Sequence, residues 1–409
     1  MAPLFPVSYS VKKTIFSKGF SFDFSSSLTK NVLVESACFT FSEPYNVHTL
    51  LDVKTPLIHL PSYYPEHFNE RPRTDNSWLG KRISPRADSP CVFALAGRWL
   101  GDCNRDHPEC HIRCETQLPT RVIDVGSFCS SPFLYVSGGR VAPYVTLSHC
   151  WGGTIEVRCT PSNIDRYQDE ICFSDLPLTL RDAITPTRRL GFRYVWIDAL
   201  CIIQDNHDDW AQEAVKMGTY YRNSALTIAA GDARNSNEGL LTARYPEFLC
   251  NGGHWDGLDH LEKRGWTLQE RVLSPRVLHY TNKGIVWECR KFRLHEKGGS
   301  QPTNETFQDL VSRVGHAYEA HELARLWERL ISIYSERSLT VASDKLPSIS
   351  GLAAMFQAAH SGVYLAGIWK HEMPACLLWR RSTSAEAPLE KPSSYQTPSW
   401  SWASLDGEV

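Results

Sequence analysis

Between residues 140 and 232, short apolar runs alternate with stretches of helical period. Val141–Ser148 reads as a strand ending at His149-Cys150-Trp151-Gly152-Gly153. Leu178–Leu190 fits a helix, with Gly191 just past its end. Tyr194–Ile197 is a nearly continuous apolar strand of the kind buried on both faces, and it could run on into the Asp198–Ile203 segment. Asp208–Arg222 predicts a second helix with Asp208 or Asp209 as N-cap, and Ala225–Ala230 a third buried strand. Strand, helix, strand, helix, strand implies a parallel sheet, so the expected fold is α/β with a βαβαβ parallel core.

The pattern elsewhere is less regular. Residues 1–60 mix β-branched and aromatic runs (Asn31–Glu35, Cys38–Phe41, His48–Val53), and Leu60–Pro90 is rich in Pro, Arg, Asp and Ser, as in a surface connection. A helix is expected over Cys91–Asp102, followed by a cysteine-rich turn. After a loop over Gly231–Gly257, WTLQERVL reads as helical, with strands at Val277–Tyr280 and Gly284–Glu288 and helices over residues 306–335 and 350–360. The expected organisation is an unassigned region 1–90, a Cys/His-rich lead-in 91–140, an α/β core 141–290, and a mainly helical region 291–409.

Composition narrows the function classes. Lys and Arg (43) nearly balance Asp and Glu (45), so no global basic surface for nucleic acid is expected. The 13 cysteines are scattered through 409 residues, unlike a disulfide framework, and no apolar run is long enough to span a bilayer. The first residues lack a continuous apolar signal region. These features describe a reduced, cytoplasmic protein without a membrane anchor. The tryptophans at 196, 210, 266, 287, 400 and 402 lack interleaved basic residues and read as packing residues rather than a base-stacking platform.

In an open parallel sheet, ligands bind beyond the carboxyl ends of the strands. That rule selects Ser148, His149, Trp151, Gly152 and Gly153 after the first strand, and Asp198, Cys201, Gln204 and Asp205 after the second. The two groups meet if these strands are neighbours. On the Asp208 helix, Trp210, Ala214, Met217 and Tyr221 form an apolar stripe with Glu213 beside it. Glu213 is therefore either an ion-paired residue, with Arg222 or Arg271 as partner, or a catalytic carboxylate. His149-Cys150 could form a thiol–imidazole pair only if the chain turns there, since neighbours on a strand face opposite ways. Cys103, His107, Cys110 and Cys114, with His111 as a spare, place four N/S ligands within twelve residues and suit zinc. Zinc modules usually draw ligands from two separated knuckles, and this stretch lacks the second.

Three blocks carry a resemblance: YVTLSHCWGG (144–153), RRLGFRYVWIDALCIIQDNHDDWAQEAVKMGTYYRNSALTIAA (188–230, starting from Arg188) and RGWTLQERVLSPRVLHY (264–280). In this order they resemble the fungal heterokaryon incompatibility (HET) domain, with flanking similarity over about residues 90–409. The resemblance implies a role in fungal non-self recognition, an innate immunity in which the domain triggers or transmits programmed cell death. It also implies a distant relation to Toll/interleukin-1 receptor (TIR) domains, with a flavodoxin-like sheet. Some TIR domains cleave NAD with a helical glutamate, whose counterpart would be Glu213. On that reading Trp151 or Trp210 would stack a ring, Gly152 and Gly153 would admit the pyrophosphate, and Gln204 and Asp205 would hold a ribose. The alternative is a non-enzymatic module that assembles with a protein partner or with itself. The chain stops soon after PSWSWASLDG, where resembling proteins carry on, which suggests a shortened chain.

Overall fold

The computed structural model describes residues 12–15, 20–23, 83–111, 116–128, 130–153, 155–244, 260–302, 314, 320–360, 362–380, 395–407 and 409. The chain forms two units, Met1–Pro56 and Leu57–Val409. In the first, β1 (Lys12–Ile15) and β2 (Phe20–Asp23) make an antiparallel hairpin. The runs at 31–35, 38–41 and 48–53 lie outside the described residues.

The second unit is built on a nine-stranded sheet of order β11-β10-β9-β8-β7-β5-β6-β3-β4. Its centre is four parallel strands: β5 (Tyr144–Ser148), β6 (Tyr194–Trp196), β7 (Leu226–Ala230) and β8 (Arg276–Thr281). Every residue of these four strands is buried, which explains the mainly apolar and β-branched character of β5, β6 and β7, while β8 also buries Arg276 and His279. The sheet is mixed rather than parallel throughout. On one side β3 (Arg121–Asp124) pairs antiparallel with β6 and β4 (Phe133–Val136) with β3, and on the other β9 (Gly284–Cys289), β10 (Phe292–His295) and β11 (Ser300–Pro302) follow β8 as an antiparallel meander. The sheet thus takes strands from both sides of the 141–290 segment.

The crossovers carry the helices. The link from β5 to β6 holds α2 (Ile164–Asp169) and α3 (Leu178–Arg189), the latter closed by Gly191 at φ +81°. The segment expected to extend β6 turns instead into a short helix, α4 (Asp198–Cys201), because Asp198 Oδ1 accepts the Ala199 amide at 2.8 Å and starts a helical turn. Next comes α5 (His207–Asn223), whose N-cap is Asn206 rather than either aspartate; its side chain accepts from the Asp208 and Asp209 amides. Asp208 and Asp209 occupy the first turn, where they suit the positive end of the helix dipole. Between β7 and β8 lies α6 (Gly265–Leu273), which packs against α5.

Before the sheet, α1 (Pro90–Asp106) has Pro at its start and runs one turn further than expected, into the cysteine-rich stretch. After the sheet come α7 (Ala320–Ser335), α8 (Ser350–His360) and the two-residue strands β12 (Tyr364–Leu365) and β13 (Ile368–Trp369). Trp327 sits edge-on to Phe356, Tyr364 and Trp369 at 5.1–5.8 Å, and Trp327 and Trp402 both donate to Gly367 O. Trp196, Trp287 and Trp402 are buried as expected of packing residues, whereas Trp400 is exposed.

Candidate functional site

The parallel block has order β6-β5-β7-β8, so the chain leaves β5 first one way and then the other. That reversal places a topological switch point beyond the carboxyl ends of β5 and β7. Because β5 and β6 are hydrogen-bonded neighbours, the Ser148–Gly153 and Asp198 regions do meet there.

Ser148, the last residue of β5, is buried and donates its hydroxyl to Glu270 Oε2 of α6. Tyr221 also lies against Glu270 and donates to Leu147 O at 2.9 Å. Below them runs a line of buried hydroxyls: Thr146 to Thr227 at 2.7 Å, Thr227 to Ser274 at 2.5 Å, and Ser274 to Glu270 O at 2.6 Å. Asp198 accepts the Trp151 indole N–H at 2.9 Å, and its other oxygen is 3.9 Å from His149 Nδ1. Arg264 donates to His149 O at 2.6 Å. His149 Nε2 is buried without a partner among the described residues.

Burial dominates the electrostatics. Desolvation pushes the Glu270 carboxyl up to about 7, with Asp198 adding to the rise and Ser148, Arg264 and Tyr221 opposing it. Desolvation also lowers His149 to about 4, so the ring is neutral at neutral pH. The Cys150 and Cys201 thiols are both pushed up by burial, which is the opposite of what a thiolate nucleophile needs.

The other expected site residues are engaged separately. Glu213 is 1% exposed and sits beside the apolar stripe. Its oxygens accept from Thr120 Oγ1 at 2.8 Å, Lys216 Nζ at 2.9 Å and Tyr220 OH at 2.8 Å. Lys216, one turn along the helix, therefore takes the place expected of Arg222 or Arg271, and Arg271 is committed to Glu288. Gln204 donates to Asp198 O and Ile202 O, tying down its own loop. Asp205 is exposed and pairs with Arg158 at 3.2 Å. Trp210 packs on the core with His207 at its edge, 6.4 Å between ring centroids.

The cysteine-rich turn forms a second constellation. Cys103 lies in the last turn of α1, His107 caps it, and Cys110 ends the following 3-10 turn. Cys289, the last residue of β9, joins them, and the four ligand atoms all lie within 4.8 Å of one another. Cys114 lies outside the described residues. The spare ligand His111 is occupied with Asn104 O at 2.8 Å.

A family model described as heterokaryon incompatibility protein (HET) matches residues 144–256. The chain carries a HET domain. No curated protein and no solved structure matches it. The HET match opens on the first residue of β5 and takes in β5, β6 and β7 with their crossovers. Glu270 and Arg264 fall beyond it, in the third sequence block. Sequence reading missed both as site residues, although Glu270 stands in a block already singled out.

Within the HET domain, Gly152 takes φ +75°, and a Cβ there would lie 2.0 Å from Asn235 Cβ and 2.7 Å from its Cα. Gly152 thus lets two loops close on each other, whereas Gly153, at φ +119°, has open space around it. Gly152→Ala is expected to destabilise the chain by at least about 1–2 kcal/mol from the left-handed backbone alone, with the clash adding to it. A thermal melt unchanged from wild type would contradict this. Beside Ser148, a cavity of about 20 Å³ is lined by Glu262, Thr267, Arg271, His279 and Arg337. Its size suits a water molecule.

Proposed function

We propose that this chain is a cytoplasmic fungal heterokaryon incompatibility protein whose HET domain passes a non-self signal into programmed cell death by assembling with a protein partner or with itself. The HET match supports the family role. The non-enzymatic form rests on one observation: the buried carboxylates Glu213, within the HET match, and Glu270, just beyond it, are spoken for. Glu213 is held by three donors and Glu270 by Ser148, beside a cavity of about 20 Å³. Small-molecule sites typically need about 300–1,000 Å³. The absence of any helix long and apolar enough to cross a membrane, among the described residues, is compatible with this setting.

A second reading, hydrolysis of NAD by a TIR-like site, is favoured by a different observation. The parallel strands run in the order of flavodoxin-like sheets, second-first-third-fourth, and Glu270 stands at their switch point with its carboxyl held near 7. On that reading Glu270, more than Glu213, is the acidic group available for glycosidic cleavage.

Expression of wild type, Glu213→Gln and Glu270→Gln in a fungal host, scoring death and cellular NAD together, separates the two. Assembly without catalysis predicts that wild type kills while NAD stays level until viability falls. Early NAD loss with wild type, abolished by Glu270→Gln, would overturn it. Loss abolished by Glu213→Gln alone would return the catalytic role to the α5 carboxylate.

A further inference from the structure

We propose that Cys103, His107, Cys110 and Cys289 bind one zinc ion, which fastens the lead-in helix to the last core strand. The ligands come from three places: the end of α1, the turn after it, and the end of β9. Cys289 supplies the second knuckle that the 103–114 stretch lacks. Around a tetrahedral zinc, sulfur and nitrogen ligands stand roughly 3.5–3.8 Å apart, given Zn–S and Zn–N lengths of about 2.3 and 2.0–2.1 Å. Cys289 Sγ and His107 Nδ1 are 3.5 Å apart. The whole set spans no more than 4.8 Å, and none of the three cysteines is in a disulfide.

Two further contacts point to thiolates rather than packed thiols. The Phe292 amide approaches Cys289 Sγ at 3.5 Å, as a backbone donor to a metal-bound sulfur does. More telling is Arg276, a fully buried guanidinium whose hydrogen bonds go to Cys103 Sγ at 3.2 Å, Ala225 O at 3.2 Å and Asn104 Oδ1 at 2.6 Å. None of these is a carboxylate. Arginine stays charged at any working pH, and a buried charge requires a counter-charge. On zinc binding, the three thiols release three protons to solvent. Zinc with three thiolates and a neutral imidazole then carries one net negative charge, which Arg276 balances. A site that is closed by four protein ligands, as here, is of the structural type.

The test uses the full chain, grown with zinc and purified without chelator. Metal content by plasma mass spectrometry is expected to give one zinc per chain for wild type and Cys114→Ser, and none for Cys289→Ser. Replacement by cobalt(II) in the wild type is expected to give the intense visible bands and the sulfur-to-metal charge-transfer band of a tetrahedral thiolate site. This second readout does not depend on whether Cys289→Ser folds. Wild type without zinc and without a tetrahedral cobalt spectrum would overturn the proposal. So would loss of zinc in Cys114→Ser with retention in Cys289→Ser, or recovery of the wild-type thiols as a disulfide.

Discussion

Arg271→Met is expected to lower the stability of the chain by about 3–5 kcal/mol, the range found when one partner of a buried ion pair is removed. Arg271 donates through Nε to Glu288 Oε2 at 2.8 Å and through Nη2 to Glu288 Oε1 at 3.1 Å, and it also holds Glu262. Glu288 has no exposed side-chain surface. His279 Nε2 lies 2.9 Å from it, but burial lowers the His279 pKa, so Arg271 is the dependable positive charge. Methionine fills similar space and leaves the carboxylate buried with the His279 imidazole in place of a permanent cation. Against a typical total of about 5–15 kcal/mol for a domain, the loss would raise the unfolded-to-folded ratio by roughly two to four orders of magnitude.

The sign with pH follows from the same contact. Arg271 and His279 outweigh burial and hold the Glu288 carboxyl well below the usual range. A depressed folded pKa contributes stability that is present above the unfolded value and lost as pH falls through the folded one. The deficit of Arg271→Met should therefore narrow on acidification, and Arg271→Met with Glu288→Gln should cost less than Arg271→Met alone. Urea titrations of wild type, both single variants and the double variant measure this. A single-variant cost within about 1 kcal/mol of zero would show that solvent or rearrangement satisfies Glu288, contrary to its burial.

The central strands were legible because burial on both faces favours nearly continuous apolar and β-branched runs, as in Tyr194–Trp196 and Leu226–Ala230. Helix α5 was legible through its apolar stripe, and α3 with Gly191 just past its end. Of the antiparallel flanks only β9, expected at Gly284–Glu288, was legible, and β3 and β4 were not. Arg121–Asp124 pairs with Tyr194 and Val195 far along the chain, and no local period announces such a pairing. The same non-locality hid Cys289, which only the fold brings to Cys103, His107 and Cys110. Glu213 was found because it borders an apolar stripe on its own helix. Glu270 was not, since Gln269-Glu270-Arg271 is a consecutive polar run that carries no sign of which residue the fold buries. Its burial comes from β5 and α5, with Ser148 and Tyr221 closing over the carboxyl, and α8 covers neighbouring Gln269, whose Oε1 accepts the Gly351 amide at 2.9 Å. A polar run inside a recognisable block is therefore as good a pointer to a site as a polar residue at a strand end.

Glu270→Gln is expected to change stability in a strongly pH-dependent way, opposite in sign to the Glu288 case. The carboxyl is raised from an ordinary 4.5 to about 7, chiefly by burial. A raised folded pKa contributes stability that is present below the unfolded value and lost as pH rises through the folded one. Wild type should thus lose about 3 kcal/mol between about pH 4.5 and 7 relative to glutamine, at 1.36 kcal/mol per unit, and change little above that. The groups facing Glu270 leave this window clear: His149 is already neutral above about 4, Tyr221 is pushed well above its ordinary value, Ser148 does not titrate, and Asp198 and Arg264 flank the site in both variants. Urea midpoints of the two proteins across this range give the difference directly, with the remaining titrations common to both. A difference that is flat with pH would show that Glu270 is not held in its acid form. A glutamine variant more stable at neutral pH but unable to kill would mean that the carboxylate is kept at the switch point at a cost to the fold, which is the expected mark of a functional group.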